Sequence, residues 1–264
     1  MKKICITDSG YGGLTVCADL VHLLKKQQKA AEINYFNACY ADNYGYNAIP
    51  DRKSKVKMFD KALVGIKKYY APDEILVACN TLSTLIEDTN FVKNNAIPIK
   101  SIIDVGLELI QKTLSINDTV SIFGTETTIG ENTYLKHLLA KGWGKEQIEQ
   151  IACPGLQTAI SRRDQVEKKV KQFTGLAGKN SWYFLGCTHY GIRSDAFQHS
   201  KILNPNLEMA QKSCEEIKDY GTISMKMVSR YEMPENEIAT WTALLKEPLT
   251  VEMLKNYTIK EDLF

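Results

Sequence analysis

The chain reads as an α/β protein: two pseudo-symmetric domains of mostly parallel sheets flanked by helices, with the active site in the cleft between them. Three observations predict this. Short apolar runs alternate with longer stretches whose apolar residues recur every three or four positions. Two of the apolar runs end alike, in a cysteine followed by polar residues, at Cys79-Asn80-Thr81 and Cys187-Thr188-His189. Those ends lie roughly a hundred residues apart, about one domain length, which points to a duplicated unit.

The predicted strands are Lys3–Thr7, Ile33–Asn37, Glu74–Ala78, Ile97–Ile102, Thr119–Phe123, Ile148–Ala152 and Trp182–Gly186, with a weaker one at Lys226–Ser229. Helical periodicity covers Leu14–Lys26, Arg52–Tyr70, Leu82–Lys93, Tyr134–Lys141 and Gln165–Phe173. No Pro/Gly/Ser-rich linker separates the halves, so they are expected to pack closely. The expected division is a first domain of residues 1–97 with 208–264 and a second of residues 98–207.

With 264 residues, 44% hydrophobic and 24% charged, the composition is that of a globular protein with a sizeable core. A net charge of +2, with Lys and Arg scattered, gives no footprint for nucleic acid or an anionic membrane. The N-terminal apolar run is too short for a signal peptide, and no window approaches a membrane span, so a cytoplasmic location is expected. Seven cysteines are an odd number, with no C-x-x-C pair, which disfavours a disulfide framework and a structural zinc site.

Ligands of open parallel sheets bind beyond the carboxyl ends of the strands, where both cysteines fall. A helix N-terminus after each cysteine is expected to favour the thiolate, the reactive form. Two such thiols suit inversion of a stereocentre, one removing a proton from one face while the other delivers a proton to the opposite face. Asp8-Ser9-Gly10-Tyr11-Gly12-Gly13-Leu14 follows the first strand. Its glycines allow a tight turn, Ser9 suits a carboxylate, and Asp8 can take or orient a proton. It has neither the lysine of a phosphate-binding loop nor the spacing of a dinucleotide fingerprint. Of the four histidines only His189 adjoins a candidate catalytic residue; His22, His137 and His199 read as surface or packing residues. No cluster of His, Cys and carboxylates has metal-ligand spacing. Gly124-Thr125-Glu126-Thr127-Thr128 suits either an anion or an ordinary helix cap, and Cys153-Pro154-Gly155 reads as structural.

These motifs resemble the aspartate/glutamate racemase family, closest to its glutamate-specific members. The matching segments are DSGYGGLTV (Asp8–Val16), NYG (Asn43–Gly45), VACNTLST (Val77–Thr84), FGTETT (Phe123–Thr128), CPG (Cys153–Gly155) and LGCTHY (Leu185–Tyr190). The resemblance implies an isomerase of an acidic amino acid that needs no cofactor. Cys79 and Cys187 would transfer the protons, with Asp8 and His189 each assisting a thiol. Ser9, Tyr44, Gly45, Asn80, Thr81, Thr128 and Thr188 would hold the substrate. It further implies a small-molecule amino-acid substrate, association into a homodimer, and supply of D-glutamate for peptidoglycan.

The chain departs from the family pattern at several positions. Asn43 and Gly191 replace prolines, the latter loosening its loop; Ala38 stands for an Asp, Ser161 for a Glu, and Ala210-Gln211 for an acidic-hydroxyl pair. Three other readings stay open: a racemase of another acidic amino acid such as aspartate, a non-catalytic amino-acid-binding protein on the same scaffold, and a lyase or isomerase with one nucleophilic cysteine.

Overall fold

A computed structural model describes residues 1–40, 45–179 and 181–264. The first sheet contains β1 (Lys3–Asp8), β2 (Ala31–Asn37), β3 (Glu74–Val77), β4 (Ile99–Ser101), β9 (Ile223–Ser229) and β10 (Thr258–Ile259), and the second contains β5 (Val120–Gly124), β6 (Ile148–Ala152), β7 (Trp182–Gly186) and β8 (Ile202–Leu203). The strand order is β10-β9-β2-β1-β3-β4 in the first and β6-β5-β7-β8 in the second, with parallel ladders throughout. The run β2-β1-β3-β4 thus recurs as β6-β5-β7-β8, and the duplication expected from the two cysteine motifs is visible in the topology. Cys79 follows β3 and Cys187 follows β7, so the thiols occupy equivalent places.

Strand pleating decides where the cores lie. In β1, Ile4 and Ile6 join the core on one face of the first sheet while Cys5 joins the core on the other. Likewise Leu76 faces one side of β3, and Ile75 and Val77 face the other. The second sheet repeats this, with Ile122 and Phe184 in one core and Phe123 and Leu185 in the other. Both sheets are therefore buried on two faces, which explains their nearly unbroken apolar strands. Each fully buried aliphatic side chain contributes about 1.5–3 kcal/mol of transfer free energy.

Helix starts are written in local chemistry. Asp51 accepts from the Ser54 N–H at 2.8 Å and opens Arg52–Tyr70. Ser101 caps Ile102–Thr113 and Asn204 caps Pro205–Glu216, each directly after the last strand of its repeat. The helix Ile102–Thr113 buries residues in cores of both sheets and carries the chain across.

One expectation needs correction, and two short strands lie outside the sequence reading. Two-residue strands β8 and β10 have no sequence signal of their own. The stretch Leu82–Lys93 is not one helix but two short helices, Asn80–Ser83 and Asn90–Asn94, separated by a 3-10 turn. Here Ser83, Thr84 and Thr89 donate their hydroxyls to nearby carbonyls of Val77, Thr81 and Ile86, giving the backbone alternatives to a helical ladder. β4 pairs with β3, and the chain crosses between sheets after Ser101.

Candidate active site

The carboxyl ends of β1, β3, β5 and β7 converge on one cavity of about 160 Å³. Asp8, Ser9, Gly45, Cys79, Asn80, Thr81, Cys187, Thr188 and His189 all line it, so most of the residues singled out in sequence lie together. Tyr44 lies outside the described residues. Thr128 stands behind the wall: its hydroxyl meets those of Thr125 at 2.9 Å and Thr81 at 3.5 Å, and Thr125 is the residue that faces the cavity.

At the β3 end, the Cys79 thiol lies 3.2 Å from the Ser9 hydroxyl and accepts from the Leu82 N–H at 3.5 Å. Ser9 in turn donates to Asp8 Oδ1 at 3.4 Å. At the β7 end, Cys187 has one side-chain partner among the described residues, His189 Nδ1 at 4.0 Å. His189 packs edge-on against Trp241, with ring centroids 5.3 Å apart. The two ends are tied together by Thr188, which donates to Asp8 Oδ2 at 2.8 Å. Gly12 permits this approach. A Cβ there would meet Thr188 Oγ1 at 2.2 Å and His189 Nδ1 at 2.4 Å.

Burial dominates the electrostatics. It pushes the Asp8 carboxyl up to about 6, against hydrogen bonds from Thr188, Cys79 and the backbone of Gly13 and Gly10 that pull it down. Burial lowers the His189 imidazole to about 4, leaving it neutral. Both thiols are pushed up, by burial first and by the nearby Asp8 charge as well. The expected helix-terminus activation is therefore not what governs the resting thiols. The helices that follow them, Asn80–Ser83 and Thr188–Gly191, are single turns, and desolvation of the anion outweighs them. Asp8 and His189 are the titratable side chains beside the two thiols.

Two polar atoms of the lining have no partner among the described residues: the donor Asn80 Nδ2 and the acceptor Gln157 Oε1. Asn80 is oriented by Tyr134, whose hydroxyl donates to its Oδ1 at 2.6 Å. A donor and an acceptor left open in one cavity suit a ligand bearing both carboxylate and ammonium.

No family model matches the chain. Its relatives decide the matter. Glutamate racemase of Streptococcus mutans is 26% identical over 227 residues, covering 84% of this chain and 81% of that protein. Glutamate racemase of Chlorobaculum tepidum is 30% identical over 202 residues, covering 72% of this chain and 69% of that protein. This chain belongs to the glutamate racemase family. The fold agrees: glutamate racemase from Francisella tularensis, solved with D-glutamate, aligns with a TM-score of 0.79 at 20% identity over 100% of this chain and 99% of that one.

Several departures from the family pattern acquire a structural meaning for this racemase. Gly191 does not loosen its loop. Asn204 Nδ2 donates to its carbonyl at 3.3 Å, and the Asn204 and Asn206 side chains fill the space a Cβ would need. Asn206 Nδ2 also donates to the Thr188 carbonyl at 2.9 Å, bracing the Cys187 loop from the helix Pro205–Glu216. Ala210 is fully buried in the core, and neither it nor Gln211 lines the cavity. Ala38 is likewise buried, whereas Ser161 does line the cavity. Cys153 is packed in the second sheet's core, as its Pro-Gly context implied.

Residues not singled out in sequence also reach the cavity, among them Asn37, Cys39, Gln157, Arg162, Glu232 and Glu237. No local pattern distinguishes these from ordinary helix and loop polar residues. No helix among the described residues is long and apolar enough to cross a membrane.

Proposed function

We propose that this racemase interconverts L- and D-glutamate without a cofactor, using Cys79 and Cys187 as base and acid on opposite faces of the substrate Cα. The observation that carries the reading is the pair of buried thiols ending the equivalent strands β3 and β7 on one cavity, each beside its own proton acceptor.

Asp8 takes the proton of Cys79, or His189 that of Cys187, to leave one thiolate facing one thiol. The thiolate removes the Cα proton and becomes a thiol, leaving the electron pair on Cα and the adjoining carboxylate. The opposite thiol then gives its proton to the other face of Cα and becomes the thiolate, so each turnover inverts both the stereocentre and the enzyme's protonation state. Asn80 Nδ2 and the Thr81 hydroxyl are neutral donors for the carboxylate as its charge increases, and neutral donors stabilise that increase without trapping the ground state. Ser9 and Gly45 complete the wall. Thr188, whose hydroxyl is committed to Asp8, acts through that carboxylate. Thr128 acts through Thr125 and Thr81. The product D-glutamate fits a cytoplasmic supply to peptidoglycan synthesis.

The test is incubation with L-glutamate in D2O without added cofactor. Proton NMR follows loss of the Cα signal, and chiral chromatography follows D-glutamate. Appearance of both deuterium and the D-isomer is expected. Ligand-dependent thermal stabilisation without either would instead establish a binding protein on this scaffold.

A further inference from the structure

The cavity has a charged side that proton transfer leaves unused. Besides Asp8, its described lining carries Arg162, Glu232 and Glu237 as ionisable groups of full charge. Arg162 ends the helix Leu156–Arg162, which packs under the second sheet's half, and Glu237 stands in the first turn of Glu235–Leu245, on the first sheet's side. The two meet across the cleft, Arg162 Nε lying 3.8 Å from Glu237 Oε1. Burial raises the Glu237 carboxyl and the guanidinium opposes that rise. Glu237 is 13% exposed and Arg162 is 54% exposed. At that separation and exposure the pair is weak, and opening it costs little.

On the same helix as Arg162, Gln157 lines the cavity, and its buried Oε1 has no partner among the described residues. Arg162 has no other ion-pair partner among the described residues, and its planar fork matches a carboxylate in two parallel hydrogen bonds.

We propose that Arg162 receives the distal carboxylate of an acidic amino-acid substrate, and that Glu237, freed from Arg162, receives its ammonium group together with Gln157 Oε1. The assignment rests on the reading of the cavity as an amino-acid site. Substrate binding exchanges one loose internal pair for two external ones, and the α-carboxylate is left to the neutral donors at Asn80 and Thr81. A neutral amino acid opens the same pair but gives the guanidinium nothing in return, and a polar group left without its partner is what makes such a site selective. The pair is thus a filter for the second carboxylate.

Calorimetric titration with glutamate and with its neutral isostere glutamine, alongside Cα–H exchange in D2O, tests this in the intact protein and in Arg162→Ala, Arg162→Lys and Glu237→Gln. Arg162→Ala is expected to weaken glutamate about tenfold to a hundredfold, raising KM more than it lowers kcat, while glutamine changes little. Arg162→Lys should restore part of the loss, and Glu237→Gln should weaken both ligands, because both carry the ammonium group. Arg162→Ala binding glutamate as tightly as the parent, or losing both ligands equally, overturns the assignment, as does a parent protein with no preference for glutamate over glutamine. If the parent shows the preference and the Arg162 dependence but exchanges no Cα proton, racemisation is refuted and the carboxylate filter stands.

Discussion

Cys79 and Cys187 hold the same topological position in two copies of one strand pattern, yet they are supported differently. Cys79 is enclosed by hydrogen bonds, with Ser9, the Leu82 N–H and Asp8 around its sulfur. Cys187 has the imidazole of His189 at 4.0 Å and the backbone N–H groups of His189 and Tyr190, with no hydroxyl beside its sulfur among the described residues. The first acceptor is an acid pushed up to about 6, the second a base held down to about 4, and both shifts arise from burial. Duplication supplies a matched pair of positions, and divergence around them supplies unlike titratable neighbours. A racemase must treat two enantiomers evenly overall, but it can do so with two unlike half-sites because the overall equilibrium belongs to the substrate.

The largest effects should come from removing either thiol. Cys79→Ala and Cys187→Ala are each expected to lower racemisation by about 10²–10⁴-fold. Each should retain slow deuterium exchange from one enantiomer, and the enantiomer should differ between the two variants. Equal residual exchange from both enantiomers in both variants would mean that the thiols do not stand on opposite faces. Removing the acceptors comes next, with Asp8→Asn and His189→Asn each costing about 10²-fold. The pH profiles should separate them. Asp8 accepts the Cys79 proton only as a carboxylate, so parent activity rises with pH through about 6. That acid limb should persist in His189→Asn and vanish in Asp8→Asn; an identical limb in both assigns it to another group.

The legibility of the two half-sites in sequence follows from how local their signals are. Cys79 and Cys187 announce themselves because an apolar strand passes abruptly into polar residues, and the same is true of Asp8 at the end of β1. The central strands β3, β5 and β7 are readable because burial on both faces makes them nearly continuous apolar runs. The Arg162–Glu237 pair is invisible because each residue is an ordinary charge on an amphipathic helix, and only the docking of those helices joins them. Thr125 and Thr128 could not be ranked, since which hydroxyl faces the ligand depends on the turn geometry after β5. The break between Ser83 and Asn90 was hidden for a related reason: its polar residues turn inward to backbone carbonyls instead of lying on a solvated helix face.

The contact that joins the half-sites can be broken at one glycine and spared at its neighbour. A Cβ at Gly12 collides with both Thr188 and His189, whereas one at Gly10 meets nothing closer than the His189 Cε1, at 3.8 Å. Gly12→Ala should therefore displace the Cys187 loop from Asp8, lowering kcat at least about tenfold and destabilising the fold by about 1–3 kcal/mol. Gly10→Ala should stay within about 0.5 kcal/mol of the parent. Thermal melts and turnover measured together check this, and equal losses in the two variants would mean that the close approach at Gly12 is not what joins the halves.

The smallest effect is on stability, where the two acceptors act with opposite sign. Asp8 has a folded pKa above its ordinary value, so its contribution is present below about pH 4 and is lost as pH rises through about 6. His189 has a folded pKa below its ordinary value, so its contribution is present above about pH 6.5 and is lost as pH falls through about 4. Each amounts to an order of 3 kcal/mol, less for His189 because its ring keeps some exposure into the cavity. Between pH 4 and 6.5 the two largely cancel in the parent. Asp8→Asn leaves the His189 term uncovered, so its melting temperature should fall more steeply than the parent's on acidification across that window. His189→Asn leaves the Asp8 term, so its melting temperature should fall less steeply or rise. Parallel curves for all three proteins would show that neither group is desolvated in the folded state, and with that the different electrostatic supports of the two thiols would disappear.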